Sequence, residues 1–262
     1  MSKLAFWKES IETRLRELLK PFEPRLLYEA MSYYVFQEGK RIRPLFVCTV
    51  CDALGGDIED AITVGCAIEL LHNYSLVHDD LPIMDNDPIR RGKPSCHVIF
   101  GEDIALLAGD GLLTLSFEIL STRENFRSLG RVELLEIIRV LSSKAGYKGM
   151  VGGQALDIRE LSNRKEISKR KTAELFSACF ISGGIIAKRW DLMEKLDALG
   201  LQVGLIFQIM DDYRDRDGFY KLYGEKLLEE VEGISIEFIN ESKSVRIYTE
   251  ELKNLIDTIL CK

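Results

Sequence analysis

Two apolar helical stretches, each followed by a group of aspartates, constrain this chain more than any other feature. One stretch runs from Ile68 to Val77 and the other from Val203 to Met210. The groups that follow are Asp79, Asp80 and Asp85 in the first case, and Asp211, Asp212 and Asp215 in the second. Carboxylates at the ends of buried helices are unfavourable unless a cation neutralises them. Hard oxygen ligands in such groups suit Mg²⁺, which usually binds one or two carboxylates together with phosphate oxygens.

The first group depends on a proline for its geometry. Asp85 lies six residues after Asp79, and a continuous helix would place it on another face. Pro82 disfavours helical geometry at Leu81, so a loosened turn can bring Asp85 back toward Asp79. We therefore predict that the helix ends at the first aspartates and that the chain then turns back.

The second group needs no such break. Asp211 and Asp215 are four residues apart and share one face of a helix, with Asp212 beside them. A solvated helix end is the alternative interpretation of either group by itself. Together, the two groups predict a cavity that holds a diphosphate through several metal ions.

Composition narrows the fold class and excludes several functions. The chain has 262 residues and only six prolines, and its apolar positions follow helical spacing, which favours an all-α protein. No linker rich in proline, glycine or serine divides it, so we expect one domain over residues 1–262. A net charge of −7 without a basic stripe argues against nucleic-acid binding. The apolar runs are too short, or too often interrupted by charge, to span a membrane.

The N-terminal segment and the cysteines favour a cytoplasmic location. Residues 1–20 form a charged amphipathic helix and not a signal peptide. Cys48 and Cys51, two of six cysteines, form a CxxC pair, which can bind zinc or carry out redox chemistry. The pair lies inside the apolar stretch Leu45–Leu54 without a second pair, so we interpret both as small buried side chains. We expect reduced thiols.

Periodicity and helix-ending residues predict helices along most of the chain. Asp57 is the expected N-cap of a long helix that carries His72 and ends at the first aspartates. Pro88–Phe100, rich in proline, glycine and arginine, is expected to be a loop. The last part of the chain is less informative. The other expected helices are Lys3–Leu19, Glu23–Gln37, Ile42–Leu54, Asp103–Ser121, Arg131–Tyr147, Met150–Glu160, Ser168–Phe180, Gly183–Lys188, Leu192–Arg216 and Thr249–Leu260.

Short motifs in a fixed order point to a family. In chain order they are Gly39-Lys40-Arg41-Ile42-Arg43-Pro44, then Glu69 to Asp87 with His72, Tyr74, Ser75 and His78, then Arg90-Arg91-Gly92-Lys93-Pro94-Ser95, Gly109-Asp110, Gly152-Gly153-Gln154 with Asp157, Lys171-Thr172, and Phe207-Gln208 before Asp211. In this order and spacing they resemble the trans-polyprenyl diphosphate synthases of the short-chain bacterial type, most of all the farnesyl diphosphate synthases (geranyltranstransferases). That type has four residues between the aspartate pair and the last aspartate of the first motif, as here. The resemblance covers about Lys40–Gly218 and fades after Gly224.

The resemblance implies a fold and a reaction. The fold is an all-α bundle of the isoprenoid-synthase type around a deep central cavity, with both aspartate groups at the mouth and the hydrocarbon tail inside. The reaction condenses isopentenyl diphosphate with dimethylallyl or geranyl diphosphate to give farnesyl diphosphate. About three magnesium ions per site are expected when diphosphate is bound. The family also forms homodimers.

The resemblance also assigns roles to individual residues. The implied metal ligands, direct or through water, are Asp79, Asp80, Asp85, Asp211, Asp212 and Asp215, and Lys171 joins them among the catalytic candidates. The allylic diphosphate would contact Arg90, Lys171, Thr172 and Gln208. The diphosphate of isopentenyl diphosphate would contact Lys40, Arg43, His72 and Arg91. Gln154 and Asp157 are expected near the site, whereas His78 and His97 are interpreted as structural.

Each basic group also has an ordinary alternative. Lys40, Arg41 and Arg43 could be a solvated helix start, and Lys171 could belong to a solvated basic face. Arg90 and Arg91 could pair with the acidic residues just before them. His72 lies seven residues before Asp79 on the same helix face, which favours a place in the site.

The length of the product is assigned to one position. Tyr74 lies five residues before Asp79, about 7.5 Å along a helix axis, where its ring can close the cavity at roughly two to three isoprene units. Ser75 is too small to do so. The family agrees, because an aromatic residue here accompanies farnesyl products. The alternative is that Tyr74 is an ordinary core residue.

The chain departs from the family after the second aspartates. Glu225 stands where the family has a lysine that contacts the allylic diphosphate, which leaves Lys221 and Lys226 as candidate substitutes. Three other functions therefore stay open. They are a geranylgeranyl diphosphate synthase, a weakly active regulatory subunit of such a synthase, and, less favoured, a class I terpene cyclase.

Overall fold

Helices follow one another along the chain, interrupted by one small hairpin. The computed structural model describes residues 2–261. The helices are α1 (Lys3–Leu18), α2 (Arg25–Val35), α3 (Ile42–Ala53), α4 (Ile58–Asp79), α5 (Cys96–Phe100), α6 (Glu102–Ser121), α7 (Arg131–Ala145), α8 (Met150–Ile158), α9 (Arg164–Ser168), α10 (Glu174–Ile186), α11 (Met193–Asp215), α12 (Phe219–Tyr223), α13 (Leu227–Ser244) and α14 (Glu250–Leu260). The strands β1 (Ile89–Arg90) and β2 (Lys93–Pro94) pair antiparallel. The all-α prediction is confirmed.

The helix α4 lies at the centre of one half of the bundle. Buried residues, most of them apolar, lie on all sides of it, and it packs against α1, α3, α6 and α10. Asp57 caps its first turn by accepting hydrogen bonds from the backbone N–H groups of Glu59 (2.9 Å) and Asp60 (3.2 Å). Both its beginning and its end agree with the sequence prediction, because the last helical residue is Asp79.

The helices α10 and α11 form the other half, and small residues let them approach closely. Every residue of α10 from Leu175 to Ile186 is buried. A Cβ atom on Gly200 would lie 2.4 Å from the Cα of Ser177, and one on Gly204 would lie 2.3 Å from the Cα of Ala173. The backbones therefore touch at two successive turns of α11, which fixes the second aspartates relative to the segment that precedes α10.

An aromatic cluster joins three helices in the core. Phe46 of α3 contacts Phe176 and Phe180 of α10, with ring centroids 5.8 Å and 5.4 Å apart. Phe238 of α13 packs against Phe180 at 6.3 Å. The chain beyond the second aspartates thus completes the core. One apolar cluster includes residues from α1 to α14, which supports the single domain over residues 1–262; that organisation stays a prediction.

Three segments differ from the sequence prediction. The helix α13 was not predicted, because its buried stripe of Leu227, Val231 and Phe238 is interrupted by buried serines and surrounded by glutamates. The expected loop Pro88–Phe100 contains the hairpin and α5. The two helices expected between Ser168 and Lys188 are one, which runs from α9 through a π-helical turn at Lys169–Ala173 into α10.

The cysteines and the apolar helix α6 bear on the compartment. Cys48 and Cys51 are free thiols with no exposed surface, which confirms their interpretation as small buried side chains. Among the described helices, only α6 is long and apolar enough to cross a membrane by length and composition. The expectation that no apolar run is long enough is therefore revised. One face of α6 packs against α4, where the Ser116 hydroxyl donates to the Ala67 carbonyl (2.8 Å). This is the packing of a helix within the bundle.

Candidate active site

A cavity of about 540 Å³ opens between α4, α8, the π-helical turn and α11. Its walls combine apolar side chains, among them Leu76, Met150 and Phe207, with charged and polar ones. The candidate site residues that line it are Arg43, His72, Tyr74, Ser75, Asp79, Asp85, Arg90, Lys171, Thr172, Gln208 and Asp211. The structure therefore brings together residues that lie far apart in the sequence, as the two aspartate groups predict.

The first aspartate group enters the cavity from the end of α4. After the helix ends, the backbone N–H of Asp85 donates to the carbonyl of Asp79 (2.9 Å), so the chain turns back as Pro82 predicts. Both side chains line the cavity. Burial raises the pKa of Asp79 to about 6. The positive charge of Lys171 opposes this rise, and the negative charge of Asp85 adds to it.

Asp80 differs from its neighbour because protein groups already neutralise it. Its side chain is fully buried and accepts hydrogen bonds from the Tyr34 hydroxyl and from the Arg90 guanidinium, whose Nε lies 2.9 Å away. Arg90 also pairs with Asp87 (3.2 Å). The carboxylate therefore has a structural partner, while Arg90 keeps one side on the cavity wall.

The second group divides in the same way. Asp211 lines the cavity, and burial raises its pKa, as does the charge of Asp215. Asp215 is exposed one turn further along α11. Asp212 is buried and accepts hydrogen bonds from Gln208 Nε2 (2.7 Å) and the backbone N–H of Phe219 (2.7 Å). One aspartate of each adjacent pair thus faces the cavity and the other faces the protein.

The π-helical turn presents Lys171 and Thr172. The Lys171 ammonium donates to Asp157 Oδ2 (2.7 Å), and the Thr172 hydroxyl donates to Gln208 Oε1 (2.6 Å). A Cβ on Gly153 would lie 2.2 Å from the Lys171 backbone N, so α8 contacts this turn directly. π-Helical turns often occur at functional sites, because the extra residue redirects neighbouring side chains.

Gln154 lies in the cavity wall and not on the surface. Its amide nitrogen and oxygen are both buried without a hydrogen-bond partner in the described structure. An unpartnered buried amide is unfavourable, and a polar ligand in the cavity could satisfy it.

A group of arginines surrounds His72 behind the first aspartates. The Arg43 guanidinium lies 4.7 Å from the Phe176 ring, and its Nε is buried without a partner. Burial lowers the pKa of Arg43. Arg91 is exposed and lies outside the cavity lining, and partial desolvation lowers its pKa as well. Burial also lowers the pKa of His72 well below its ordinary value, and the nearby arginines act in the same direction. The arginines nevertheless make the group cationic, and an anion would stabilise it.

Arg41 and Lys40, which precede Arg43 in the sequence, do not line the cavity. Arg41 is buried and donates to Glu12 (2.7 Å) and Glu69 (2.9 Å), so the solvated interpretation of this residue is wrong. Lys40 is exposed outside the cavity lining, and its charge slightly opposes the rise in the pKa of Asp211. Lys40 thus lies at the rim between the cationic group and the second aspartates.

The expected substitutes for the family's lysine lie outside the cavity lining. Lys221 pairs on the surface with Asp217 (2.6 Å), and Lys226 is exposed. Glu225 accepts hydrogen bonds from the hydroxyls of Tyr213 (2.7 Å) and Tyr220 (3.3 Å).

Sequence reasoning missed Arg164, which lies beside the second aspartates. Its guanidinium bridges Asp157 Oδ1 (3.4 Å) and Asp212 Oδ2 (3.3 Å). Since Asp157 also holds Lys171, the four charged groups form one network. Nothing in the spacing of Arg164 indicates this contact, which arises because α9 packs beside the π-helical turn and α11.

The carboxylates that face the cavity fit a hard cation. Asp79 and Asp85 have no ion-pair partner among residues 2–261, and the nearest cation to Asp211 is Arg214 at 3.8 Å. No three acidic, histidine or cysteine side chains in this part of the chain converge as a ready-made metal cage. Such a donor set suits Mg²⁺ that completes its coordination with phosphate oxygens.

The helical bundle and its carboxylate-lined cavity define an all-α isoprenoid-synthase-type protein, and comparisons with known proteins identify the family. The polyprenyl synthetase family matches residues 24–231. Farnesyl diphosphate synthases of Bacillus subtilis (strain 168) and Micrococcus luteus are 41% and 42% identical, over 86% and 85% of this chain and 78% of each relative. The chain belongs to the polyprenyl synthetase family.

Solved structures agree over nearly the whole chain. The structure of an FPP/GFPP synthase from Zymomonas mobilis has a TM-score of 0.88 and 35% identity, over 98% of this chain and 95% of that one. A geranyltranstransferase from Thermotoga maritima has a TM-score of 0.85 and 35% identity, over 98% and 100%. The predicted family and its fold are confirmed.

Proposed function

We propose that this chain is a trans-prenyltransferase that joins isopentenyl diphosphate to dimethylallyl diphosphate and then to geranyl diphosphate, giving farnesyl diphosphate and free diphosphate. The observation that carries this proposal is the cavity itself. Carboxylates enter it from the ends of α4 and α11, a cationic group lies beside them, and apolar side chains continue the wall. Such a cavity suits a ligand with a charged head and a hydrocarbon tail.

The allylic diphosphate is bound between the two aspartate groups. Asp79, Asp85 and Asp211 would hold the metal, and Asp215 would act through water from the rim. About three bound magnesium ions would neutralise the diphosphate as it leaves and so lower the barrier to forming the allylic cation. Lys171, Thr172, Gln208 and Arg90 contact the same diphosphate. Asp80 and Asp212 position Arg90 and Gln208, and they become ligands only if their protein partners move.

Isopentenyl diphosphate binds at the cationic group without metal. Arg43 and Arg91 supply charge-assisted hydrogen bonds, Lys40 closes the rim, and His72 acts as a neutral hydrogen-bonding group. The double bond then attacks the allylic cation, and a proton is lost. No side chain in the cavity is an obvious base, so released diphosphate is the proposed acceptor. The apolar wall excludes water, which would quench the cation.

Tyr74 determines where chain growth stops. Its side chain is 7% exposed and lies in the cavity wall one turn before Asp79, on the path of a tail whose diphosphate is fixed at the aspartates. Ser75 also lines the cavity, but its hydroxyl donates to the His72 carbonyl (2.9 Å) and its small side chain leaves the path open. Farnesyl diphosphate is therefore the proposed product.

A second copy of the chain is the proposed partner. Leu106 and Leu107 of α6 and Val132 and Leu135 of α7 are exposed, between 47% and 71%. Exposed apolar side chains on these two helices favour association, and a homodimer would cover them. A cytoplasmic location also stays a prediction.

The direct test is an assay of product length. Purified protein is mixed with Mg²⁺, isopentenyl diphosphate and dimethylallyl diphosphate, and the products are identified by mass. Farnesyl diphosphate supports the proposal, and Tyr74→Ala should shift the main product to geranylgeranyl diphosphate or longer. A wild-type product of that length identifies the longer-chain synthase. No turnover without a partner protein favours the regulatory subunit, and undiminished turnover in excess chelator contradicts the metal assignment.

A further inference from the structure

His78 lies between Tyr74 and α6 and contacts both. Its ring meets the Tyr74 ring edge-on, with centroids 5.4 Å apart and planes at 86°. On its other side, Nε2 is 2.9 Å from the Leu106 carbonyl oxygen, to which its N–H donates, and 3.8 Å from a carboxylate oxygen of Asp110. The imidazole is therefore held at two points, one on α4 and one on α6.

Gly109 of α6 provides the space that this imidazole occupies. A Cβ atom at Gly109 would lie 2.0 Å from His78 Nε2 and 2.2 Å from its Cδ2, well inside contact distance. Any side chain at this position would force the imidazole away. The motif Gly109–Asp110, which has no part in the proposed chemistry, thus has a local structural role beside Tyr74.

We propose that His78 is a positioning residue for product length, which holds the Tyr74 ring across the hydrocarbon path, and that Gly109 makes this arrangement possible. The inference rests on the proposed role of Tyr74. A growing prenyl tail can pass only if the Tyr74 ring rotates, and the edge-on contact with a fixed imidazole opposes that rotation. Without the imidazole, the ring has room to turn aside while the aspartates remain in place.

The experiment measures the ratio of geranylgeranyl to farnesyl diphosphate. His78→Leu removes both the ring contact and the hydrogen bond, and we expect the ratio to rise about fivefold, which corresponds to the loss of about 1 kcal/mol from an aromatic pair. The ratio does not depend on the fraction of enzyme that is folded. A purely structural role would therefore lower the rate and leave the ratio unchanged, and that result would overturn the proposal.

A pair of glycine variants on α6 tests the same point without altering His78. Gly109→Ala should raise the ratio, because the added methyl displaces the imidazole. Gly111→Ala, on the same helix as Gly109, is the matched control. Its Cβ would lie 2.8 Å from the flexible end of the Met31 side chain and would not meet His78. The proposal is contradicted if both variants change the ratio equally or if neither changes it. This pair decides the question even if His78→Leu does not fold.

The double variant Tyr74→Ala/His78→Leu separates this inference from the function on which it rests. If His78 acts through Tyr74, its removal adds no further shift once the tyrosine ring is gone. An additional shift would mean that His78 itself contacts the hydrocarbon, which contradicts a positioning role. If Tyr74→Ala leaves the product unchanged in an active enzyme, the assignment of Tyr74 itself is wrong. If Tyr74→Ala shifts the product and His78→Leu does not, only the role of His78 is refuted.

Discussion

Replacing Asp79 by asparagine should stabilise the protein in the absence of metal. Burial raises the pKa of this carboxyl from an ordinary value of 3.8 to about 6, so the folded protein holds an unfavourable negative charge at neutral pH. Asparagine has nearly the same shape and no charge. The substitution therefore removes the electrostatic penalty and keeps the packing.

The size of the effect follows from the change in pKa. A rise from 3.8 to about 6 corresponds to at most about 3 kcal/mol of free energy of unfolding at neutral pH, since one pKa unit is about 1.36 kcal/mol. For a chain of this length, that is roughly 5–10 °C in melting temperature. Because the folded state binds the proton more tightly than the unfolded state, the penalty is complete above about pH 6. It decreases as the pH falls and is lost near the ordinary pKa of 3.8.

Thermal unfolding in chelator, at pH 7.5 and at pH 5, measures this difference. Asp79→Asn should melt well above the wild type at pH 7.5, and the gap should be smaller at pH 5. Asp85→Asn is the comparison variant, because that side chain is exposed and contributes to the raised pKa of Asp79 only through its charge, which is a smaller cause than burial; it should raise the melting temperature much less than Asp79→Asn. Magnesium with inorganic diphosphate should then raise the melting temperature of the wild type and have little effect on Asp79→Asn.

Two results would refute this reasoning. If Asp79→Asn and the wild type melt at the same temperature at pH 7.5 in chelator, the carboxylate is not electrostatically unfavourable in the folded protein. If Asp79→Asn keeps the full stabilisation by magnesium and diphosphate, Asp79 does not hold the metal.

Two further changes test the other charged groups. Arg43→Ala removes a charge-assisted contact worth about 2 kcal/mol and should raise the KM for isopentenyl diphosphate roughly thirtyfold. The KM for the allylic substrate should change much less. Equal effects on both KM values in steady-state kinetics would show that the two diphosphate sites are wrongly assigned. Arg164→Ala leaves Asp157 and Asp212 without their shared cation, and should lower the free energy of unfolding by about 1–3 kcal/mol and raise the allylic KM. Lys221→Ala, which removes only an exposed ion pair, should change neither quantity, and an equal loss with Lys221→Ala would contradict the role of Arg164.

Much of the fold could be predicted because local signals agree with the tertiary structure. The helix α4 is mostly apolar, begins at a capping aspartate and ends three residues before Pro82, so its position follows from short-range chemistry. The helix α13 shows the limit. Its buried positions Leu227, Val231 and Phe238 have helical spacing, but Gly233 and several glutamates between them weaken the pattern. Its burial depends on the aromatic cluster formed by α3 and α10.

Many of the charged and polar residues that line the cavity could be predicted, but the partners of the charged groups could not. Asp79 and Asp80 are neighbours of the same type, and no sequence pattern separates them. What separates them is Tyr34 on α2 and Arg90 on β1, which reach Asp80 only in the folded protein. Arg164 is a similar case, because its contact with Asp212 depends on how α9 packs against α11.

Helical geometry explains why each adjacent pair of aspartates divides in this way. Successive residues on a helix point about 100° apart, so two neighbouring carboxylates at the end of α4 or α11 point to different sides of the helix. The carboxylate that faces the protein must be paired there, as Asp80 is by Arg90 and Asp212 by Arg164. The carboxylate that faces the cavity is less well paired, since Asp79 has no ion-pair partner among residues 2–261 and Asp211 has only Arg214 at 3.8 Å, and it bears the raised pKa. Its neutralisation is left to a cation from solution, and for that reason removing its charge should stabilise the metal-free protein and impair the metal-bound one.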